Sequence, residues 1–300
     1  MDVYYNGEHR VFFGEIGTSR NGVYVPSEFI DSWNDLHLIP VARPSVASPK
    51  MKSTTIAIPG ANGVLDLTDF PRGFPTFNNR TGSLEFYVNH SINWGPLMTE
   101  DYEWTEALAD ITRHLHGKRT KMYLGDNLKY YYYGRFTVGD WKTGKNVSTV
   151  TINYDLDPYM YCTTTAWDDQ YYDPSTGEWI DAEMPKPFLN IDTNPQEPKN
   201  QWSLLSLETG SMQIIPKFRY MVPRYSNVEM YAQVHTSFND STSPMVKLGQ
   251  NYEEIEGLAF ANPGMYDETT FTFFLKAIDS DIYTPADSGM IWLDFRSGRL

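Results

Sequence analysis

Residues 148–154 read Ser-Thr-Val-Thr-Ile-Asn-Tyr, with Ser148, Val150, Ile152 and Tyr154 on one parity and Thr149, Thr151 and Asn153 on the other. Successive side chains of a strand point to opposite faces, so this alternation marks a strand with one face buried. Residues 84–88, Leu-Glu-Phe-Tyr-Val, alternate in the same way, with Leu84, Phe86 and Val88 as the apolar set. Between them, Tyr130 to Val138 is a β-prone run that opens with four consecutive tyrosines. It reads as a strand covered on both faces, one by core and one by a neighbour.

Two features interrupt this pattern. Thr54–Ile58 and Val64–Thr68 flank Pro59-Gly60-Ala61-Asn62-Gly63, the pattern of a protruding hairpin. Asn62-Gly63 is its turn signal, because both residue types tolerate positive φ. Downstream, Trp104, Leu108, Ile111 and Leu115 recur at helical spacing on one stripe. Thr99 suits the N-cap, and Glu100, Asp101 and Glu103 place negative charge at the helix's positive end. His116-Gly117, followed by Lys118 and Arg119, closes it with the expected left-handed glycine. One apolar stripe means one buried face, so the helix should lie on a sheet.

Beyond Asp157-Pro158-Tyr159 the composition shifts. Thr163 to Asn200 is rich in Asp, Pro, Gly and Thr and reads as loops or an extended excursion. Strands resume at Trp202–Leu207, Met212–Met221, Val228–His235, Thr270–Ile278 and Met290–Phe295. The expectation is a mainly β protein of two domains. Residues 1–165 would form a β-sandwich with one packed α-helix and a protruding hairpin, and residues 166–300 a second β-sandwich. The last strand, Met290–Phe295, is a candidate to return to the first domain.

Charge separates the two parts. Residues 1–165 hold 15 Lys+Arg against 18 Asp+Glu, a net of −3, whereas residues 166–300 hold 9 against 20, a net of −11. Neither supplies the net positive charge of a general nucleic-acid binder. Acidity of this kind also serves solubility alone. The 45 aromatic residues (21 Tyr, 16 Phe, 8 Trp) suit half-buried sheets and large interfaces. Cys162 is the single cysteine, which rules out an internal disulfide or a thiolate cluster. No basic region followed by an apolar run opens the chain, and no apolar stretch suits a membrane span. Synthesis in a cytoplasm and no membrane insertion are the expectation.

Signals for chemistry are sparse. His9, His37, His90, His114, His116 and His235 form no metal-binding pattern, and His114 and His116 point apart on a helix. The Gly60–Gly63 segment lacks the Lys-Ser/Thr and following helix of a phosphate loop. Asp155/Asp157 and Asp168/Asp169 are the nearest carboxylate pairs for glycoside hydrolysis. They read better as a strand terminus and a loop. No catalytic residue, metal or cofactor is expected. Trp167, Trp179 and Trp202 offer flat faces for stacking on sugars, which makes a carbohydrate-binding module recognising cell-surface polysaccharide the alternative to a purely structural protein.

Five stretches in order carry a family resemblance. They are Ile56-Ala-Ile-Pro-Gly-Ala-Asn-Gly-Val-Leu-Asp-Leu-Thr68, Asn79-Arg80 leading into Leu84-Glu-Phe86, and Leu115-His-Gly-Lys118. Tyr131-Tyr-Tyr-Gly-Arg135 and Thr151-Ile152 through Leu156-Asp-Pro-Tyr159 complete the set. Together they resemble the distal tail protein of long-tailed phages, the siphophage Dit family. Ala61 departs from the family's common Arg, Phe70–Phe77 is a Pro-rich insertion, and residues 166–300 carry no matching motif.

The resemblance implies a galectin-like second domain and a structural hub, not an enzyme, at the virion tail tip, made in the host bacterial cytoplasm. Six copies would close into a ring, with stacked rings as a variant. The ring would join the tail-tube protein to the baseplate, the tail-associated lysin or a tail fibre protein. Pro59, Gly60, Asn62 and Gly63 would belong to arms reaching a neighbour. The second domains would face receptor-binding proteins or a host glycan, and DNA would pass through a non-basic ring without specific binding.

Overall fold

The computed structural model describes residues 9–60, 62–68, 75–88, 104–142, 148–182, 188–191, 201–205, 217–221, 228–236, 240–248, 254–256, 268–285, 289–294, 296 and 298–300. The protein is mainly β, with one helix among the described residues. The first part runs β1 (Val11–Glu15), β2 (Thr18–Arg20), β3 (Val23–Tyr24), β4 (Glu28–Asp31) and β5 (Leu38–Pro40). The hairpin strands β6 (Thr55–Ala57) and β7 (Val64–Asp66) follow, then β8 (Arg80–Val88) and α1 (Trp104–Leu115). Next come β9 (Arg119–Leu124), β10 (Asn127–Lys142), β11 (Ser148–Leu156), β12 (Met160–Cys162), β13 (Gln170–Asp173) and β14 (Glu178–Asp181).

These build one large antiparallel sheet in the order β4-β1-β9-β10-β11-β8-β5 and a smaller one, β14-β13-β2-β3. The alternating segments behave as their periodicity dictates. Leu84, Phe86 and Val88 are buried on β8, and Ser148, Val150, Ile152, Tyr154 and Leu156 on β11. Facing them across β10 are Phe136 and Tyr132, and α1 closes this side with Ala107, Ile111 and Leu115. The stripe therefore runs through Ala107, with Leu108 only half-buried. Thr99 to Glu103 lie outside the described residues.

The opposite face of the same sheet holds a second core of Phe12, Ile16, Tyr123, Leu128 and Tyr131, packed against Phe29, Tyr133, Tyr161, Tyr171 and Tyr172. The tyrosine run thus divides by parity, as a two-sided strand requires: Tyr132 to the helix side, Tyr131 and Tyr133 to the other. Tyr171 and Tyr172 come from β13, inside the stretch expected to be loops. Asp173-Pro174-Ser175-Thr176-Gly177 is the turn of a short hairpin there, with Gly177 at φ 77°. Its turn residues masked the strand pattern on either side.

The second part contains β15 (Phe188–Ile191), β16 (Gln201–Leu205), β17 (Lys217–Met221), β18 (Val228–Thr236), β19 (Ser241–Thr242) and β20 (Val246–Lys247). It continues with β21 (Glu254–Glu256), β22 (Glu268–Ala277), β23 (Tyr283–Pro285), β24 (Gly289–Asp294) and β25 (Gly298–Arg299). One sheet has the order β15-β24-β17-β21, and the other β16-β22-β18-β19 with β20 and β23 added. The strand expected at Met290–Phe295 stays here, as β24 between β15 and β17. The segment after it, β25, pairs with β12 of the large sheet. Arg296 fixes that return by donating to the carbonyls of Cys162 and Thr163, and Arg299 lies 4.0 Å over the Tyr130 ring.

Two glycines set backbone limits. A Cβ on Gly134 would sit 2.2 Å from the Asp155 carbonyl oxygen, so β10 and β11 can approach only without a side chain there. Gly117 ends α1 at φ 73° with open space around its Cα, and its N–H donates to the Phe136 carbonyl at 2.8 Å. Gly117→Ala is expected to cost about 1–2 kcal/mol through backbone strain alone. Gly134→Ala is expected to cost more, because β11 must move. Equal denaturation midpoints for the two variants would contradict this ordering.

His37 is buried at φ 54°, and burial holds its imidazole below the ordinary value of 6.5, with Asp35 and Asp110 opposing. The unfolded chain therefore takes up this proton first as pH falls below about 6.5, and stability declines over that window. His37→Asn, whose side chain tolerates the left-handed backbone, is expected to flatten the fall in melting temperature between pH 7 and pH 5. An unchanged slope would count against it.

Candidate assembly interface

The arm begins with residues held firmly to the body. Arg43 and His9 both pair with Asp126 at 2.7 Å, at the turn between β9 and β10. Val46 packs against the helix-side core. At Ala47 the backbone N–H donates to the Tyr154 hydroxyl at 3.3 Å, and the carbonyl accepts from Arg80 Nη1 at 3.0 Å. Arg80, itself 4 % exposed, also donates from Nε to the Pro158 carbonyl at 2.8 Å and lies 5.5 Å over the Tyr132 ring. Farther out, Lys50 and Lys52 bond to the backbone of Asn78 and Thr76, beside an open cleft of about 480 Å³ lined also by Asn79, Thr81 and Asp155.

Beyond this base the chain leaves the body as the β6–β7 hairpin. Among the described residues its two strands pair only with each other, Thr55 with Asp66 through Ala57 with Val64. Thr68 closes the open end: its N–H donates to Asp66 at 2.9 Å, and its hydroxyl accepts from the Thr54 N–H at 3.2 Å. The connection is wider than a two-residue Asn-Gly turn. Gly60 and Gly63 take positive φ (80° and 88°) whereas Asn62 does not. Pro59, Gly60, Asn62 and Gly63 are all exposed at the tip.

The arm's side chains are apolar and in solvent. Ile56, Ile58, Val64 and Leu65 are 49, 48, 60 and 46 % exposed, and Met51 joins them at the base. An isolated two-stranded hairpin is marginally stable in water, and burying such a side chain fully is worth about 1.5–3 kcal/mol. A second apolar surface lies at the free edge of the small sheet, where Val23, Tyr24 and Val25 are exposed. Its turn is Asn21-Gly22, both at positive φ (50° and 75°), and Asp169 accepts the Asn21 N–H at 2.5 Å. The Asn21-Gly22 dipeptide is the local sequence signal for this hairpin, of the same kind as Asn62-Gly63.

The tryptophans have the following neighbours. Trp179 stands on β14 with Tyr24 edge-on at 4.8 Å and Tyr172 at 5.6 Å, so its ring is shared with its own sheet. Trp167 has the Arg20 guanidinium 6.0 Å from its ring. Trp202 lies on β16, and its side chain is outside the described residues.

The carboxylate pairs are engaged structurally. Asp155 accepts from Asn79 at 2.8 Å, and Asp157 pairs with Arg119 at 2.8 Å and accepts from the Tyr161 hydroxyl. Asp168 accepts the Thr165 N–H at 2.7 Å. Asp31, whose carboxyl burial pushes up, accepts from Trp33, Asn34 and Arg10. His116 accepts the Val138 N–H at 3.1 Å, His114 lies 3.4 Å from Arg113, and His235 bonds Thr242. His90 lies outside the described residues. Among the described residues no group of three or more His, Cys, Asp or Glu is disposed to hold a metal, and no helix is long and apolar enough to cross a membrane.

No protein-family description matches the sequence, and no curated protein does. Among solved structures, the crystal structure of the SPP1 Dit (gp 19.1) protein, described as a paradigm of hub adsorption apparatus in phages infecting Gram-positive bacteria, is similar at TM-score 0.47 with 12 % identity, over 95 % of this chain and 99 % of that one. The VP2 subviral particle of infectious bursal disease virus is similar at TM-score 0.21 with 10 % identity, over 98 % of this chain and 68 % of that one.

Proposed function

We propose that this chain is a structural hub at the distal end of a long non-contractile phage tail. Its copies form a ring that joins the tail tube to the tip, baseplate and receptor-binding components. The observation that carries the reading is the β6–β7 arm, a hairpin with no further strand partner among the described residues and four large apolar side chains about half exposed to solvent. Apolar surface of this kind on a rigidly based projection is covered in the working state. A contact that seats the arm of one copy on the Val23–Val25 edge of the next is heterologous, and such contacts make a ring where the rotation between copies closes. The ordered motifs of the first part, from Ile56 to Tyr159, agree with this role.

The same reading gives each part a place. Residues 1–165 supply the ring, at a net charge of −3 that gives DNA phosphates little to hold. The more acidic second part is peripheral. Partners are the tail-tube protein on one side and the tail-associated lysin or fibre on the other.

Light scattering of the purified protein is expected to give a mass of roughly six protomers, or a multiple for stacked rings. Ile56→Asp and Leu65→Asp are expected to bring it down to the protomer without changing the melting temperature, because neither side chain contributes to the core. Wild-type protein that remains a protomer at high concentration, or arm variants that assemble as wild type, would sink the proposal.

A further inference from the structure

The outer face of the β16-β22-β18 sheet has a different chemistry from the arm. On β18, Met230, Ala232 and Val234 are buried, which turns Glu229, Tyr231, Gln233 and His235 to the other side. On β22, Phe271, Phe273 and Leu275 are buried, and Thr272, Phe274 and Lys276 take the outer positions. The register aligns these in rows. Tyr231 stands beside Phe274, Glu229 beside Lys276 and Gln233 beside Thr272. Lys247 of β20 flanks Tyr231 on one side, and Tyr283 of β23 flanks Lys276 on the other.

The side chains of this face are fixed to one another. The Tyr231 and Tyr283 rings meet edge to face at 5.0 Å, and the Lys276 ammonium lies 5.9 and 5.7 Å from their centroids. The Tyr231 hydroxyl donates to one Glu229 oxygen at 2.8 Å, while Lys247 pairs with the other. Desolvation and this carboxylate push the Tyr231 hydroxyl up to about 12, so it stays a donor at neutral pH. Gln233 Nε2 donates to the Ser243 carbonyl at 2.9 Å, and Lys276 lies 3.7 Å from Asp281.

Two properties select the ligand. The charges cancel, Lys247 against Glu229 and Lys276 against Asp281, so the face offers little to a nucleic acid or another charged polymer. The aromatic rings Tyr231, Phe274 and Tyr283 are not buried and are flanked by amide, carboxylate and ammonium groups. A pyranose matches that pattern, with one C–H face to lay on an aromatic ring and hydroxyls at its edge that both donate and accept. Side chains already ordered by their own contacts lose little freedom on binding.

We propose that this face binds neutral saccharide rings, with the exposed Tyr283 ring as the stacking surface, braced edge to face by Tyr231, and Glu229, Gln233 and Lys276 as hydrogen-bonding groups beside it. The site uses neither Trp167 nor Trp179, and it does not require the chain to form a ring.

The test exposes the intact protein to a printed panel of neutral oligosaccharides built from glucose, galactose, rhamnose and N-acetylhexosamines. A subset is expected to bind. Tyr283→Ala and Gln233→Ala are each expected to weaken that binding about tenfold, a loss of one or two contacts, with melting temperature and solution mass unchanged. Tyr283→Phe, which keeps the ring, is expected to retain it. Binding of no saccharide on the panel overturns the proposal, as does binding that survives Tyr283→Ala. Retention only of anionic glycans, abolished by salt, or of a protein ligand in place of sugar also overturns it. Because solution mass is read in parallel, failure here is distinguishable from failure of the hub reading.

Discussion

Strand β10 is buried on both faces and paired on both edges, and the rest of the first part is arranged by that constraint. Its partners β9 and β11 run antiparallel along its length, with Gly134 permitting the closest approach to β11. One face must meet a helix and the other a second sheet, because Phe136 and Tyr132 on one side and Tyr131 and Tyr133 on the other all need cover. α1 supplies the first cover. The β13–β14 hairpin and β2 supply the second, and Tyr172 carries the contact through to Phe29 and Trp179. The return of β25 to β12, locked by Arg296 and Arg299, adds the last strand to the same sheet.

Outside this body's cores, the first part exposes its apolar side chains at the arm and at the Val23–Val25 edge. That gives the arm its meaning. Arg80 and Tyr154 extend from β8 and β11 to hold Ala47, so the arm's root is tied to the central sheet. Past Lys52 the support ends and the apolar side chains begin. A flexible loop with the same residues would fold back onto its own surface at modest entropic cost. A hairpin on a fixed root presents them outward, as a contact between copies requires.

Much of this was legible in the sequence. Period-two alternation at 84–88 and 148–154 gave strand positions and inward faces, and helical spacing with Gly117 gave α1 and its end. Those signals are local, set by pleat and helix geometry, and survive any tertiary context. The hairpin arm was legible for the same reason, though its wide six-residue connection was not, because Gly60 took one of the positive-φ positions assigned to Asn62. Non-local contacts were hidden: β13 pairing with β2 across some 150 residues, the return of β25, and the contacts of Trp167 with Arg20 and of Trp179 with Tyr24. On β18 the inward set was visible as a pattern, but the ionic and aromatic order of its outward face depends on three neighbouring strands that no single stretch specifies.

The central claim is that the β6–β7 arm is covered by another copy of the chain. Hydrogen exchange across residues 55–66, followed in the assembled particle and in dilute protomer, tests it most directly. The account predicts slow exchange in the particle and fast exchange in the protomer, with β10 slow in both. Arm amides that exchange at the same fast rate in both states would contradict it.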